Sequence, residues 1–101
     1  MPEFIKVATT DEIQPGQGKT VEVKGEPVAV FNVGGKFYAI HNTCLHRGGP
    51  LGEGALEGDT VTCPWHGWSY DVKTGSNKRM PDFKVRSFKV KVEGNDVLVE
   101  V

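Results

Sequence analysis

The sequence predicts an all-β, antiparallel fold. Three observations carry this. Short runs rich in Val, Ile, Phe and Tyr are separated by Gly, Pro and Asn. Two of the separators, Gly34-Gly35 and Gly94-Asn95, are two-residue hairpin signals between such runs. No long segment repeats its apolar residues at the helical period.

Taken in order, residues 9–14 (TTDEIQ) read as one short turn with Thr10 or Asp11 as its cap. Residues 20–23 (TVEV) alternate as a half-buried strand does. Residues 27–33 and 36–42 are strands flanking Gly34-Gly35, and 60–64 and 68–72 are shorter ones. Residues 88–92 (FKVKV) and 96–101 (DVLVEV) flank Gly94-Asn95. Between them, residues 43–59 hold five glycines and one proline and read as loop without strand.

The 101 residues suit one domain with a modest core, to which a bound metal would add stability. A formal charge of −1 argues against a nucleic-acid partner, which requires a basic surface. Neither a basic start followed by an apolar run nor a membrane-length apolar stretch is visible. A cytoplasmic protein without a membrane partner is expected. In that compartment the two cysteines read as metal ligands, catalytic groups or buried thiols rather than a disulfide. Ser69 has no base partner in the pattern, so hydrolase chemistry is not expected.

The chemistry sits in two mixed pairs. Cys44-x-His46 and Cys63-x-x-His66 are separated by sixteen residues. Thiolate and imidazole together suit zinc or iron. The four residues could be unliganded, but they flank Gly and Pro rather than sit in apolar strands. They could hold one structural zinc, although zinc folds commonly pair Cys with Cys and His with His along the chain. They could also hold a [2Fe–2S] centre with two thiolates on one iron and two imidazoles on the other. Mixed pairs suit this third arrangement, because each loop then spans both irons.

C-x-H, a Gly-rich stretch, then C-P-W-H-G and the aromatic W-S-Y-D resembles a Rieske iron–sulfur protein. The resemblance extends to Pro81 and the closing VKVEGNDVLVEV. It implies a β-sandwich base with a smaller cluster-binding subdomain at about residues 42–70, within a single domain spanning 1–101. It further implies Cys44 and Cys63 on the inner ferric iron, and His46 and His66 on the outer iron that takes the electron. Respiratory Rieske proteins add a membrane anchor and a second cysteine in each loop, and oxygenases add a large catalytic domain. Neither pattern is present here. The chain is thus most similar to the ferredoxins of the family, non-enzymatic carriers between a flavin-dependent reductase and a terminal oxygenase. The small subunit of an assimilatory nitrite reductase, partnered by its large subunit, is a similar alternative.

Further expectations attach to single residues. Leu45, Arg47, Gly48, Trp65 and Pro81 are candidates for the rim around the histidines. His41 reads as a strand-end cap rather than a ligand. Trp68 and Phe83 are either cluster shields or core aromatics. Lys78, Arg79, Lys84, Arg86, Lys89 and Lys91 read mostly as a solvated face, with a docking patch as the alternative. The acidic Glu53, Glu57 and Asp59 could steer a partner. High-potential members place a Ser and a Tyr after the second His, both donating to cluster sulfur. Here the positions hold Trp68 and Tyr70, so one donor of two is lost. A potential in the lower half of the Rieske range, roughly −150 to +300 mV, is expected.

Overall fold

The computed structural model describes residues 3–43, 49–65, 67–80 and 82–100. Among these residues the strands, in chain order, are β1 Phe4–Thr9, β2 Gly18–Val23, β3 Glu26–Val33, β4 Lys36–His41, β5 Ala55–Glu57, β6 Thr60–Thr62, β7 Ser69–Asp71, β8 Ser87–Phe88, β9 Val90–Glu93 and β10 Asp96–Glu100. They form three sheets, ordered β1-β10-β9, β2-β3-β4-β8 and β5-β6-β7, with every pairing antiparallel. The fold class read from the sequence is the one observed.

The sheet containing β3 is the central layer. Val28 and Val30 face a core shared with Val97 and Val99 of β10. Ala29 and Phe31 face a second core with Val61 of β6 and Tyr70 of β7. Successive side chains of a strand point to opposite faces. A strand covered on both faces is therefore apolar at every position, which is why residues 28–31 read V-A-V-F without alternation.

Turn chemistry sets the register. Gly34 and Gly35 have φ of +61° and +96°, the left-handed pair a tight hairpin turn requires. The β2–β3 turn does the same at Lys24 (φ +50°) and Gly25 (φ +83°), a hairpin the sequence pattern did not announce. Asn32 braces the neighbouring turn. Its Oδ1 accepts the Gly35 N–H and its Nδ2 donates to the Ile13 carbonyl, both at 2.8 Å.

Three expectations are corrected. The run 88–92 is not one strand: Phe88 pairs with Ala39 in the central sheet, and Val90 pairs with Val99 in the outer one. Lys89 is the crossing point between them. Residues 43–59 are not strandless, since β5 pairs with β6 and a short 3-10 helix runs Leu51–Glu53. The turn after β1 is braced through Thr9, with Asp11 as one of its partners, rather than by a Thr10 or Asp11 cap. The Thr9 N–H donates to Glu12 Oε1 at 3.2 Å, and its hydroxyl lies 2.5 Å from Asp11 Oδ1. Strand β1 is one that the residue pattern does not delimit.

Candidate metal centre

Cys63 stands at the mouth of the β6–β7 hairpin. The last pair of that ladder is Thr62 with Ser69, and the loop opens at Cys63. Two backbone hydrogen bonds close it: Cys63 N–H donates to the Trp68 carbonyl at 2.7 Å, and Gly67 N–H donates to the Cys63 carbonyl at 3.1 Å. Gly67 lies at φ +77°, a conformation L-side chains avoid. The Cys63 side chain is only 2% exposed and packs in the core with Val61 and Tyr70.

The chain returns to this thiol at Gly49. A Cβ placed on Gly49 would lie 2.6 Å from Cys63 Sγ and 3.2 Å from ring atoms of Trp65. No side chain larger than hydrogen fits. The missing side chain lets two chain segments converge on one sulfur, the approach a group bridging them requires. Trp65 rests beside Gly49 and is otherwise in solvent, 57% exposed.

Cys44, His46 and His66, and the rim candidates Leu45, Arg47, Gly48 and Pro81, lie outside the described residues. His41 behaves as a strand-end cap: its Nδ1 accepts the Thr43 N–H at 3.2 Å where β4 ends. Trp68 packs against the core, with its ring parallel to that of Phe83 at 6.3 Å between centroids. Phe83 is itself exposed, so the core reading holds for Trp68 alone. The six basic residues are all exposed. Arg86 pairs with Glu26 at 3.5 Å, and Lys91 pairs with Glu93 at 3.7 Å. In the acidic group Asp59 pairs with Lys73 at 3.6 Å, while Glu53 and Glu57 are exposed.

Three residues with structural work at the site went unread in the sequence. Gly49 is one. Asn42 is buried, and its Oδ1 accepts the Gly52 N–H at 2.7 Å and the Thr20 hydroxyl at 3.0 Å. Asn77 is also buried. Its Oδ1 accepts the N–H groups of Arg79 and Met80, and its own N–H donates to the Phe83 carbonyl, fixing the turn that lays Phe83 on Trp68. A carboxamide bonding to backbone leaves no periodic trace.

The Rieske [2Fe–2S] domain family matches residues 3–93. The chain belongs to the Rieske family. It is 41% identical to the ferredoxin component of biphenyl 2,3-dioxygenase from Rhodococcus jostii, over 95% of this chain and 91% of that one. The ferredoxin of carbazole 1,9a-dioxygenase from Nocardioides aromaticivorans superposes with a TM-score of 0.88 at 34% identity, covering 95% of both chains. A putative NADH-dependent nitrite reductase small subunit from Mycobacterium tuberculosis reaches a TM-score of 0.92 at 21% identity, covering 100% of this chain and 96% of that one, a likeness of fold.

One Rieske-type [2Fe–2S] cluster is therefore the cofactor of this Rieske chain, and the structural-zinc reading falls away. Cys63, the one candidate ligand among the described residues, fits it: a soft thiol, nearly dry, at a point where only glycine permits the second segment to approach. Among the described residues, no helix is long and apolar enough to cross a membrane.

Proposed function

We propose that this Rieske protein is a one-electron carrier between a flavin-dependent reductase and the terminal oxygenase of an aromatic-ring dioxygenase system. The observation that carries the reading is 41% identity, along nearly the whole chain, to a dioxygenase ferredoxin component. The chain itself catalyses no reaction and works in the cytoplasm. The nitrite reductase alternative has likeness of fold behind it, which carries no activity.

Cys44 and Cys63 are the thiolate ligands of the inner iron, and His46 and His66 the imidazole ligands of the outer one. Cysteine and histidine alternating in both motifs supports this assignment, as does the burial of Cys63. The cluster, when bound, supplies a reversible one-electron step. Cys63 is held for it by two backbone bonds, so its sulfur does not have to be repositioned on electron transfer. Trp65 and Gly49 bring the two segments together and keep water from one side of that sulfur. Residues 42–70, with the β5-β6-β7 sheet as their scaffold, act as the cluster-binding subdomain.

Purified protein should be red-brown, with two irons and two acid-labile sulfides per chain. In stopped flow it should accept one electron from a reductase and pass it to a ring-hydroxylating oxygenase. Coupling to a nitrite reductase and to no oxygenase would replace the reading with the alternative.

A further inference from the structure

The first ligand segment leaves and re-enters the described structure at a narrow neck. On one side is Asn42, following β4; on the other are Leu51 and Gly52. Three hydrogen bonds close it. Leu51 N–H donates to the Asn42 carbonyl at 2.7 Å, Gly52 N–H donates to Asn42 Oδ1 at 2.7 Å, and Thr20 of β2 donates its hydroxyl to the same oxygen at 3.0 Å. Asn42 N–H in turn donates to the Pro27 carbonyl of β3 at 3.0 Å. Thr43 and Pro50 bridge just above. A Cβ on Gly52 would collide with Thr20 Oγ1 and approach Asn42 Oδ1 to 3.0 Å, so glycine is required there. Because Gly52 can only donate through its N–H, the carboxamide oxygen is fixed in place, and its orientation is not open to a flip.

We propose that Asn42 is a positioning residue that closes the first ligand segment before the cluster is present. It is a metal-independent latch between that segment and strands β2 and β3. Among the described residues none of its bonds involves a candidate ligand, so the neck holds in the apoprotein. The loop-closure entropy of bringing Asn42 to Leu51 is then met by the fold itself, and cluster binding does not have to supply it. The same latch slows release, since a lost ligand remains tethered near its iron. This second consequence rests on the reading that Cys44 and His46 are ligands.

The test compares Asn42→Ala with Asn32→Ala. Asn32 is also buried, and it also bonds a backbone N–H and a backbone carbonyl, but in the turns beside β3. Hydrogen exchange is read in the apoprotein and cluster-loss rate in the holoprotein, at a temperature where both variants are folded. Asn42→Ala should raise exchange at the Leu51 and Gly52 amides by about tenfold and speed cluster loss by a similar factor, the scale of a lost hydrogen bond. Asn32→Ala should leave both within about twofold. Asn42→Asp, which keeps the accepting oxygen, should restore the slow rates. If Asn42→Ala does not fold, Thr20→Val removes one donor only and should give a smaller change of the same sign.

Equal effects from Asn42→Ala and Asn32→Ala would overturn the latch. So would unchanged protection at Leu51 and Gly52, or a loosened neck with unchanged cluster loss. The ligand reading fails separately: Cys44→Ser retaining a full cluster would sink it whatever the neck does.

Discussion

The two faces of the central sheet are built differently. Towards β1, β10 and β9 the core is Ala8, Val23, Val28, Val30, Ala39, Phe88, Val97 and Val99 from the strands, with Ile13 from the turn after β1. Strand pairing assembles all of it but Ile13. Towards β5, β6 and β7 the core includes Leu51 and Cys63 from outside the strands, together with Val61 and Tyr70. Its closure depends on backbone approaches at Gly49, Gly52 and Gly54, where a Cβ would collide with Cys63, Thr20 and Thr62 respectively. A strand core of this kind tolerates loss of a cofactor. A core closed by glycine-rich segments does so only where hydrogen bonds such as those of the Asn42 neck hold it, because those segments have little apolar surface of their own to offset their ordering entropy.

The largest effect should therefore come from removing a ligand or the metal. Cys63→Ser, and likewise Cys44→Ser, His46→Ala and His66→Ala, should abolish or severely reduce cluster assembly, read as loss of visible absorbance and iron content. Chelation of the wild-type cluster should raise hydrogen exchange in β6 and β7 by orders of magnitude while β3 and β10 remain protected. Uniform loss of protection across all three sheets would show that the two cores are not separable.

A smaller effect, confined to one face, should follow from Gly49→Ala. The methyl would lie 2.6 Å from Cys63 Sγ, so either the thiol or the returning segment must shift. Most of the cluster should be lost on purification. Gly58 is the matched control: it lies at φ +62° with nothing within 4 Å of its would-be Cβ. Gly58→Ala should cost about 1 kcal/mol of stability and leave the cluster content intact. Equal cluster content in the two variants would mean that the close approach at Gly49 is dispensable.

The aliphatic face was the more legible of the two in the sequence, and the reason is physical. Hairpin turns with left-handed residues leave a local trace, as at Gly34-Gly35 and Gly94-Asn95. Buried strands leave a period. The failures have equally definite causes. Strand β1 has a bulge between Lys6 and Ala8, which slips its alternation. The run F-K-V-K-V keeps a perfect alternation while the chain changes sheets at Lys89. Strand β5 is three residues long, set among glycines. At the site, the four candidate ligands were legible because ligand chemistry restricts residue type. Asn42 and Asn77 were not, because each acts on backbone groups, which every sequence has.

Next in size is a change that should leave both cores intact. Tyr70 is fully buried on β7, opposite Val61. If its hydroxyl donates to the cluster, Tyr70→Phe should lower the reduction potential by tens of millivolts, since about 59 mV is a tenfold change for one electron. Donors to cluster sulfur favour the more negative reduced state. Thermal stability should barely move, because the ring stays. An unchanged potential with an intact cluster would assign the hydroxyl a structural role only.

The smallest effect belongs to the aliphatic half. Glu12 braces the turn after β1 against β2. Its hydrogen-bonded ion pair with the Lys19 ammonium, at 2.6 Å, and bonds from the Thr9 hydroxyl and N–H hold its carboxyl below the ordinary value of 4.5. A carboxylate with a depressed folded-state pKa contributes stability above its unfolded pKa and loses it as pH falls through the folded one. The loss thus begins near pH 4.5 and continues below it. Glu12 and Lys19 are both exposed at the surface, so salt screens the pair and the contribution is slight. Melting curves of wild type and Glu12→Gln, from about pH 6 down to pH 3, should converge as the acid limb is reached. The difference should shrink in high salt, and the cluster absorbance should be the same in both proteins at pH 6. A difference that persists at pH 3 would mean Glu12 acts through packing rather than charge. A changed cluster spectrum would mean that the aliphatic face is not insulated from the metal side.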